Sequence, residues 1–268
     1  MTTATACTES LAADLRRLGV RPGGALLVHA SLRAVGPVAG GARAVVEALR
    51  TALGGAGTLV VPSFTPENSD TSRAHLARLA ALPESGHAAL LAAMPPFGPS
   101  TPAPGMGRLA ETVRLTPGAV RSAHPQTSFT ALGPAATRLT CRHHEDCHLG
   151  EDSPLARLYE EDGRALLLGT GFGSFSAFHL AEYRVPDPPR RTYRCVVIRD
   201  GRRTWWSYED VALDDDDFAA LGADFLRTAA PGAVRGGRVG AAVSRLVPVR
   251  EAVDFALDRF KNGRPAAG

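Results

Sequence analysis

The chain has 268 residues, 44% of them hydrophobic and 21% charged, with a formal net charge of +3. That length buries a substantial core, and the balance excludes a disordered or collagen-like polymer. The longest apolar runs, such as Ala25–Val28 and Ala165–Leu168, are too short to span a bilayer. No charged head followed by an apolar core opens the chain, so a cytoplasmic protein with no membrane partner is expected. Of the 30 basic residues all but Lys261 are arginine. They are scattered among 27 acids, which fits the codon usage of a GC-rich genome better than a nucleic-acid surface. The four cysteines, Cys7, Cys141, Cys147 and Cys195, are too few for a disulfide scaffold and read as reduced thiols.

The N-terminal half has α/β patterning. Leu11, Leu15 and Leu18 recur at helical spacing over Thr8–Leu18, which Gly19 stops. Ala25–His29 reads as a buried strand, Gly40–Leu53 as a helix and Thr58–Val61 as a second strand. Strand, helix, strand implies a parallel pair with a right-handed crossover. Residues 66–106 hold helical stretches near 74–82 and 86–93, then five prolines from Pro95 to Pro104 that forbid long helices. This region reads as an insertion over the sheet. Gly107–Leu115 and Pro154–Glu161 are helices, Ala165–Leu168 is a strand, and Ser176–Arg184 is a helix ended by Pro186. Thr192–Arg199 and Arg202–Ser207 flank Asp200-Gly201, a hairpin signal. Asp214–Asp217 opens a helix ending near Ala229, where acids complement the helix dipole. Val249–Phe260 is the last helix. With no linker or repeat, the expectation is one α/β domain over 1–268, with a mixed, partly parallel sheet flanked by helices, plus a C-terminal hairpin and helix.

Four groups of residues could carry chemistry. His29-Ala-Ser-Leu32, followed by Gly36 and Gly40-Gly41, sits where a buried strand ends and a helix begins, the place where open α/β sheets bind ligands. His179 and Glu182, three apart on one helical face, can form a His–carboxylate dyad, bind a substrate ammonium, or be a plain surface pair. Cys141-Arg-His-His-Glu-Asp-Cys-His148 lacks the paired spacing of a zinc site and reads as a solvated polar loop. Trp205 and Trp206 with Arg202 and Arg203 read as packing of a hairpin rather than as a base-stacking platform. No G-x-S-x-G elbow is present, which disfavours an α/β-hydrolase.

Taken in order, His29-Ala-Ser-Leu, Gly40-Gly41-Ala, Gly57-Thr-Leu-Val-Val-Pro62, Gly105-Met-Gly107, Ser122-Ala-His-Pro125 with Ser128-Phe129, Ser153-Pro-Leu155, Leu166-Leu-Leu-Gly169 and His179-Leu-Ala-Glu182 resemble the aminoglycoside 3-N-acetyltransferase family. The resemblance spans roughly residues 10 to 260. It implies acetyl transfer from acetyl-CoA to an amine, with the 3-amino group of an aminoglycoside as acceptor. His179 matches the family's catalytic histidine and Glu182 the acid beside it, with His29 second in line for direct chemistry. Ser31, Leu32, Arg33, Ala34, Val35 and Gly36 would form the coenzyme loop. Met106, Gly107, Arg108, Thr127 and Ser128 would line the rest of that cleft, with Arg33 and Arg108 toward the phosphates. A polycationic acceptor calls for carboxylates, from Glu67, Asp70, Glu145 and Asp146, and for walls from Phe64, Phe172 and Phe175. The resemblance implies no metal, and a monomer or homodimer. Two departures stand out. Phe172–Phe178 is apolar where the family is often polar, and Pro104 replaces an arginine. The first motivates an alternative acceptor: a nucleoside, peptide or biosynthetic amine.

Overall fold

A computed structural model describes residues 5–264. Helix α1 (Thr8–Leu18) leads into β1 (Ala25–Ala30), and α2 (Leu32–Val35) and α3 (Gly41–Leu53) cross over to β2 (Thr58–Pro62). Between β2 and α6 (Gly107–Arg114) lie the short helices α4 (Arg73–Ala80) and α5 (His87–Ala92). Strands β3 (Val120–Arg121) and β4 (Phe129–Leu132) follow, then α7 (Ala136–Thr140), α8 (Pro154–Glu160), β5 (Arg164–Leu168) and α9 (His179–Arg184). A hairpin of β6 (Arg190–Arg199) and β7 (Arg202–Val211) precedes α10 (Phe218–Thr228), β8 (Arg235–Val239), β9 (Ala242–Pro248) and α11 (Val249–Lys261).

The main sheet has seven strands in the order β3-β4-β2-β1-β5-β9-β8. Its centre is parallel: Ala25 of β1 pairs with Thr58 of β2, and Val28 with Leu166 of β5. The flanks, β4 against β2 and β9 against β5, are antiparallel. The sheet is therefore mixed and partly parallel. Side chains alternate between two cores, as a doubly covered sheet requires. Leu26, Val28, Leu59, Val61, Leu166 and Leu168 face the layer of α1, α3 and α6. Leu27, Val60, Ala165 and Leu167 face the layer of α8, α9, α10 and α11. His29 follows Leu27 with the same parity, so it faces the α9 layer at the carboxyl end of β1.

The β6–β7 hairpin forms a separate two-stranded sheet. Asp200 and Gly201 both take positive φ, 50° and 72°, the backbone that a type I′ turn demands. Bridges from Ser69 to Cys195 and from Phe97 to Val197 tie the hairpin to the proline-rich segment. Arg194 and Arg203 flank Trp205, with guanidiniums 4.5 and 5.5 Å from a ring centroid. Both strands run further than the sequence suggests, into Arg190 and Val211.

Two details differ from expectation. The predicted helix over Ser176–Arg184 is a 3₁₀ turn over Ser176–Phe178 followed by α9. The acids before α10 do not cap it: Asp217 is the N-cap residue but makes no side-chain cap bond, because Arg264 takes its carboxylate. Among the described residues, all four cysteines are free, and no helix is long and apolar enough to cross a membrane.

Gly222 in α10 is a packing requirement: a Cβ there would stand 2.0 Å from Cγ of Phe172. Gly222→Ala therefore forces the ring or the helix to move. A loss of roughly 1–3 kcal/mol is expected, read as a Tm fall of several degrees in a thermal melt. An unchanged Tm would show that this contact relaxes freely.

Candidate active site

The carboxyl ends of β1, β2 and β5 open on a cleft of about 340 Å³, walled by His29, Phe64, Met106, Ser176, His179 and Phe218 among others. His29 is the penultimate residue of β1 and Pro62 closes β2, while Thr170 follows the end of β5. A parallel sheet places its strand ends, and the loops that can reach a ligand, on one side.

His179 begins α9 and is 9% exposed, enough to present one ring edge to the cleft. Its Nδ1 lies 2.7 Å from Oε2 of Glu182. An ionised carboxylate only accepts, so Nδ1 carries the hydrogen and Nε2 keeps a free lone pair. Phe218 packs on the ring at a centroid distance of 4.6 Å. Glu182 is 4% exposed. Its other oxygen accepts the Asp214 amide at 3.1 Å and an Arg264 guanidinium. With both oxygens engaged, Glu182 orients His179; it does not line this cleft and borders a separate groove instead.

His29 lies across the cleft, with Nε2 3.4 Å from the Ser176 hydroxyl. Burial pushes it down to about 4, so it is neutral at physiological pH. It can exchange hydrogen bonds there without adding charge.

The expected coenzyme segment 31–36 follows His29 directly. Ser31 spends its amide on the Leu168 carbonyl, whereas the amides opening α2 have no acceptor within the helix. Val35 is 2% exposed and belongs to the core. Met106 lines the cleft beside Gly105, and Gly107 opens α6 at φ +83° with no atom within 4 Å of a Cβ position. The side chains of Arg33 and Arg108 are exposed.

Other expected residues lie elsewhere. Thr127 donates to the His148 carbonyl, and Ser128 is wholly buried, donating to the Ser63 carbonyl and accepting from Arg121. Both are fixed beneath β2 and β4 rather than lining the cleft, because β4 is locked to β2 from Phe129 on. Phe172 and Phe175 are 5% and 0% exposed and stack with Phe178 inside the core. The two 3₁₀ turns there explain it: at three residues per turn, 172, 175 and 178 share one face. That face points inward, while Gly173, Ser174 and Ser176 meet the cleft. Asp70 pairs with Arg194 at 2.7 Å and Glu145 pairs with Arg199, both toward the hairpin; Asp146 is exposed away from the cleft wall. Glu67 stays near the rim, its Oε1 4.0 Å from a Cβ position on Gly105.

Asp215 lines the cleft, a role the acidic run did not reveal. Asp214, Asp215 and Asp216 gather their oxygens within 4.8 Å of one another. Arg73 of α4 meets them at 3.5, 2.7 and 2.9 Å, so a guanidinium already supplies their counter-charge.

The Cys141–His148 segment is only partly a solvated loop: Cys141, Arg142, His144 and Asp146 are exposed, but two of its histidines turn inward. His143 and His148 are 5% and 2% exposed. His143 bonds Ser122 and the His148 carbonyl, both at 2.8 Å. His148 bonds Asp210 at 2.9 Å, and its ring lies 4.6 Å from that of His124. Burial works against the Asp210 charge, but hydrogen bonds from His148 and Tyr183 hold it below the usual carboxylate range.

A sequence model described as aminoglycoside 3-N-acetyltransferase matches residues 27–261. The chain belongs to this family of N-acyltransferases. Aminoglycoside N(3)-acetyltransferase III of Serratia marcescens is 40% identical over 93% of this chain and 95% of its own length. The prophage-derived aminoglycoside N(3')-acetyltransferase-like protein YokD of Bacillus subtilis is 37% identical over 95% of this chain and 92% of its own. The crystal structure of YokD superposes with a TM-score of 0.89, covering 98% of this chain and 96% of that one. A structure described as AAC-IIIb binary with CoASH, 31% identical, superposes with a TM-score of 0.81, covering 98% of this chain and all of that one. In this family member His179, the histidine that the resemblance singles out, lines the cleft.

Proposed function

We propose that the protein transfers acetyl from acetyl-CoA to an amine of an aminoglycoside, at the 3-amino group, in the cytoplasm, by direct attack with His179 as general base. The observation that carries this is the His179 Nδ1–Glu182 bond of 2.7 Å on the wall of the cleft. The names of the relatives support the acceptor class, and the CoASH-bound neighbour supports the donor.

The residues present fit the coenzyme. Gly105 and Gly173 leave the cleft wall without side chains, and the α2 amides with the exposed Arg33 and Arg108 would meet the coenzyme's phosphates. When bound, acetyl-CoA supplies an acyl group activated as a thioester. His179 accepts through Nε2 the proton that the attacking nitrogen must lose, since a protonated amine has no lone pair. Glu182 holds the ring in the required tautomer and favours the imidazolium that forms. His29 and the Ser176 hydroxyl face the same space and can orient the carbonyl. Glu67 near the rim provides negative charge for a polycationic acceptor, and Asp215 adds to it as one of three carboxylates sharing the single guanidinium of Arg73.

A second reading keeps the chemistry and changes the amine. It is favoured by the loss of four of the seven expected acceptor contacts: Asp70, Glu145, Phe172 and Phe175 are all committed elsewhere. The test is thiol release from acetyl-CoA with a panel of aminoglycosides bearing a free 3-amino group. Release that depends on enzyme and acceptor is expected, with mono-acetylated product by mass spectrometry. Silence across that panel, with turnover on another amine, would establish the second reading.

A further inference from the structure

Beyond α11 the chain turns back, and Arg264 lies behind the dyad. Its Nη1 donates to Oε1 of Glu182 and its Nη2 to the Asp214 carbonyl. Its Nε and Nη2 hold the two oxygens of Asp217 at 2.9 and 2.6 Å. The guanidinium lies 4.5 Å from the Phe260 ring centroid and 5.8 Å from that of Phe218, the ring that supports His179. Arg264 thus joins the last turn of the chain, the acidic loop before α10 and the carboxylate of the dyad.

A planar guanidinium on the far oxygen fixes the carboxylate in one plane. With that plane fixed, Oε2 meets His179 Nδ1 in one orientation, and the ring is held against the cleft wall.

We propose that Arg264 is a positioning residue for the dyad: it clamps Glu182 through Oε1 and thereby holds the His179 ring in the orientation that accepts the amine's proton. This rests on His179 being the base. The surrounding charges do not duplicate the role. Arg73 on α4 is bound to Asp214, Asp215 and Asp216. Arg191 on β6 donates to the Thr71 carbonyl. Asp187, Arg191 and Lys261 border the same groove as Glu182 and Arg264. Tyr193 of β6 faces Glu182, His148 faces His179, with Asp210 of β7 at its other side, and neutral His29 stands across the cleft. Among the described residues, Arg264 is the cation that reaches Glu182.

The experiment compares Arg264→Gln, Arg264→Lys and wild type in the whole chain. kcat and KM are measured with acetyl-CoA and an accepted amine, beside the Tm of each protein. Arg264→Gln is expected to lose roughly tenfold in kcat with KM little changed. Arg264→Lys, which keeps a donor and the charge, restores most of that loss. An unchanged kcat, or a loss that falls on KM, overturns the proposal. So does a loss that only tracks a lowered Tm, with Lys no better than Gln. His179→Ala separates the two levels. If it leaves kcat unaltered, the base assignment fails and takes this proposal with it. If it removes most of kcat while Arg264→Gln leaves kcat unmoved, the Arg264 proposal alone fails.

Discussion

His179→Ala is expected to lower kcat/KM by roughly 10²–10⁴-fold, the usual contribution of a positioned proton-transfer group. The loss falls on kcat, because the ring contributes little of the cleft's surface and the walls around Phe64, Met106 and Ser176 remain. The fold survives the change, since His179 stands at the open edge of α9 rather than in the core. Glu182→Gln loses less, because an amide carbonyl still accepts from Nδ1. It also leaves Arg264 facing a neutral partner across Oε1. The measurement is thiol release under saturating acetyl-CoA, with coenzyme binding checked by calorimetry. A variant that binds the coenzyme as wild type does and turns over at an unaltered rate would sink the general-base role. A variant that no longer binds coenzyme would move His179 into the binding site instead.

The sequence makes some features of the molecule legible and hides others for identifiable reasons. The parallel centre was readable because β1, α3 and β2 are contiguous and each carries its own periodicity. The outer strands were not. β8 reads Arg-Gly-Gly-Arg-Val with four of five residues exposed, and β3 is two residues long. Their partners lie far along the chain, so no local signal marks them. The same holds for the site. His179 and Glu182 could be paired from their spacing of three on a helix. Arg264 could not, because 82 residues separate it from Glu182. Phe172 and Phe175 were misplaced for a different reason: an apolar run beside a catalytic histidine suggests a pocket wall, but a 3₁₀ period of three puts every aromatic on the buried face. The Cys141–His148 run is polar by composition yet partly buried, because Ser122, Asp210 and backbone carbonyls from other segments satisfy its imidazoles.

That buried histidine cluster makes the protein acid-sensitive. Burial pushes His29 down to about 4 and His143 to about 3. His124 is held well below its ordinary value by burial and by the neighbouring rings of His148 and His143. Burial also lowers His148, with Asp210 opposing it. In the unfolded chain each of these histidines titrates near about 6.5. Between that value and the folded one, the unfolded chain binds protons that the native chain refuses. Unfolding therefore becomes easier as pH falls, by up to about 1.4 kcal/mol per pH unit for each histidine. By pH 5 that amounts to about 2 kcal/mol each for His29 and His143. With His124 and His148 adding in the same direction, the sum approaches the roughly 5–15 kcal/mol that holds a domain folded. Asp210 acts in the same direction but later: its folded value is lowered, so its contribution is lost as pH falls below about 4. Denaturant unfolding at pH 7.5 and at pH 5.0 tests this. A fall of several kcal/mol at unchanged m-value is expected, and equal stabilities at the two pH values would show that the cluster admits protons while folded. His143→Gln keeps a hydrogen-bonding side chain and cannot be protonated, so it flattens the slope even if it lowers stability at pH 7.5. A jump from pH 5 to 7.5 gives a second readout: activity lost because the histidine cluster has opened returns only as fast as the chain refolds.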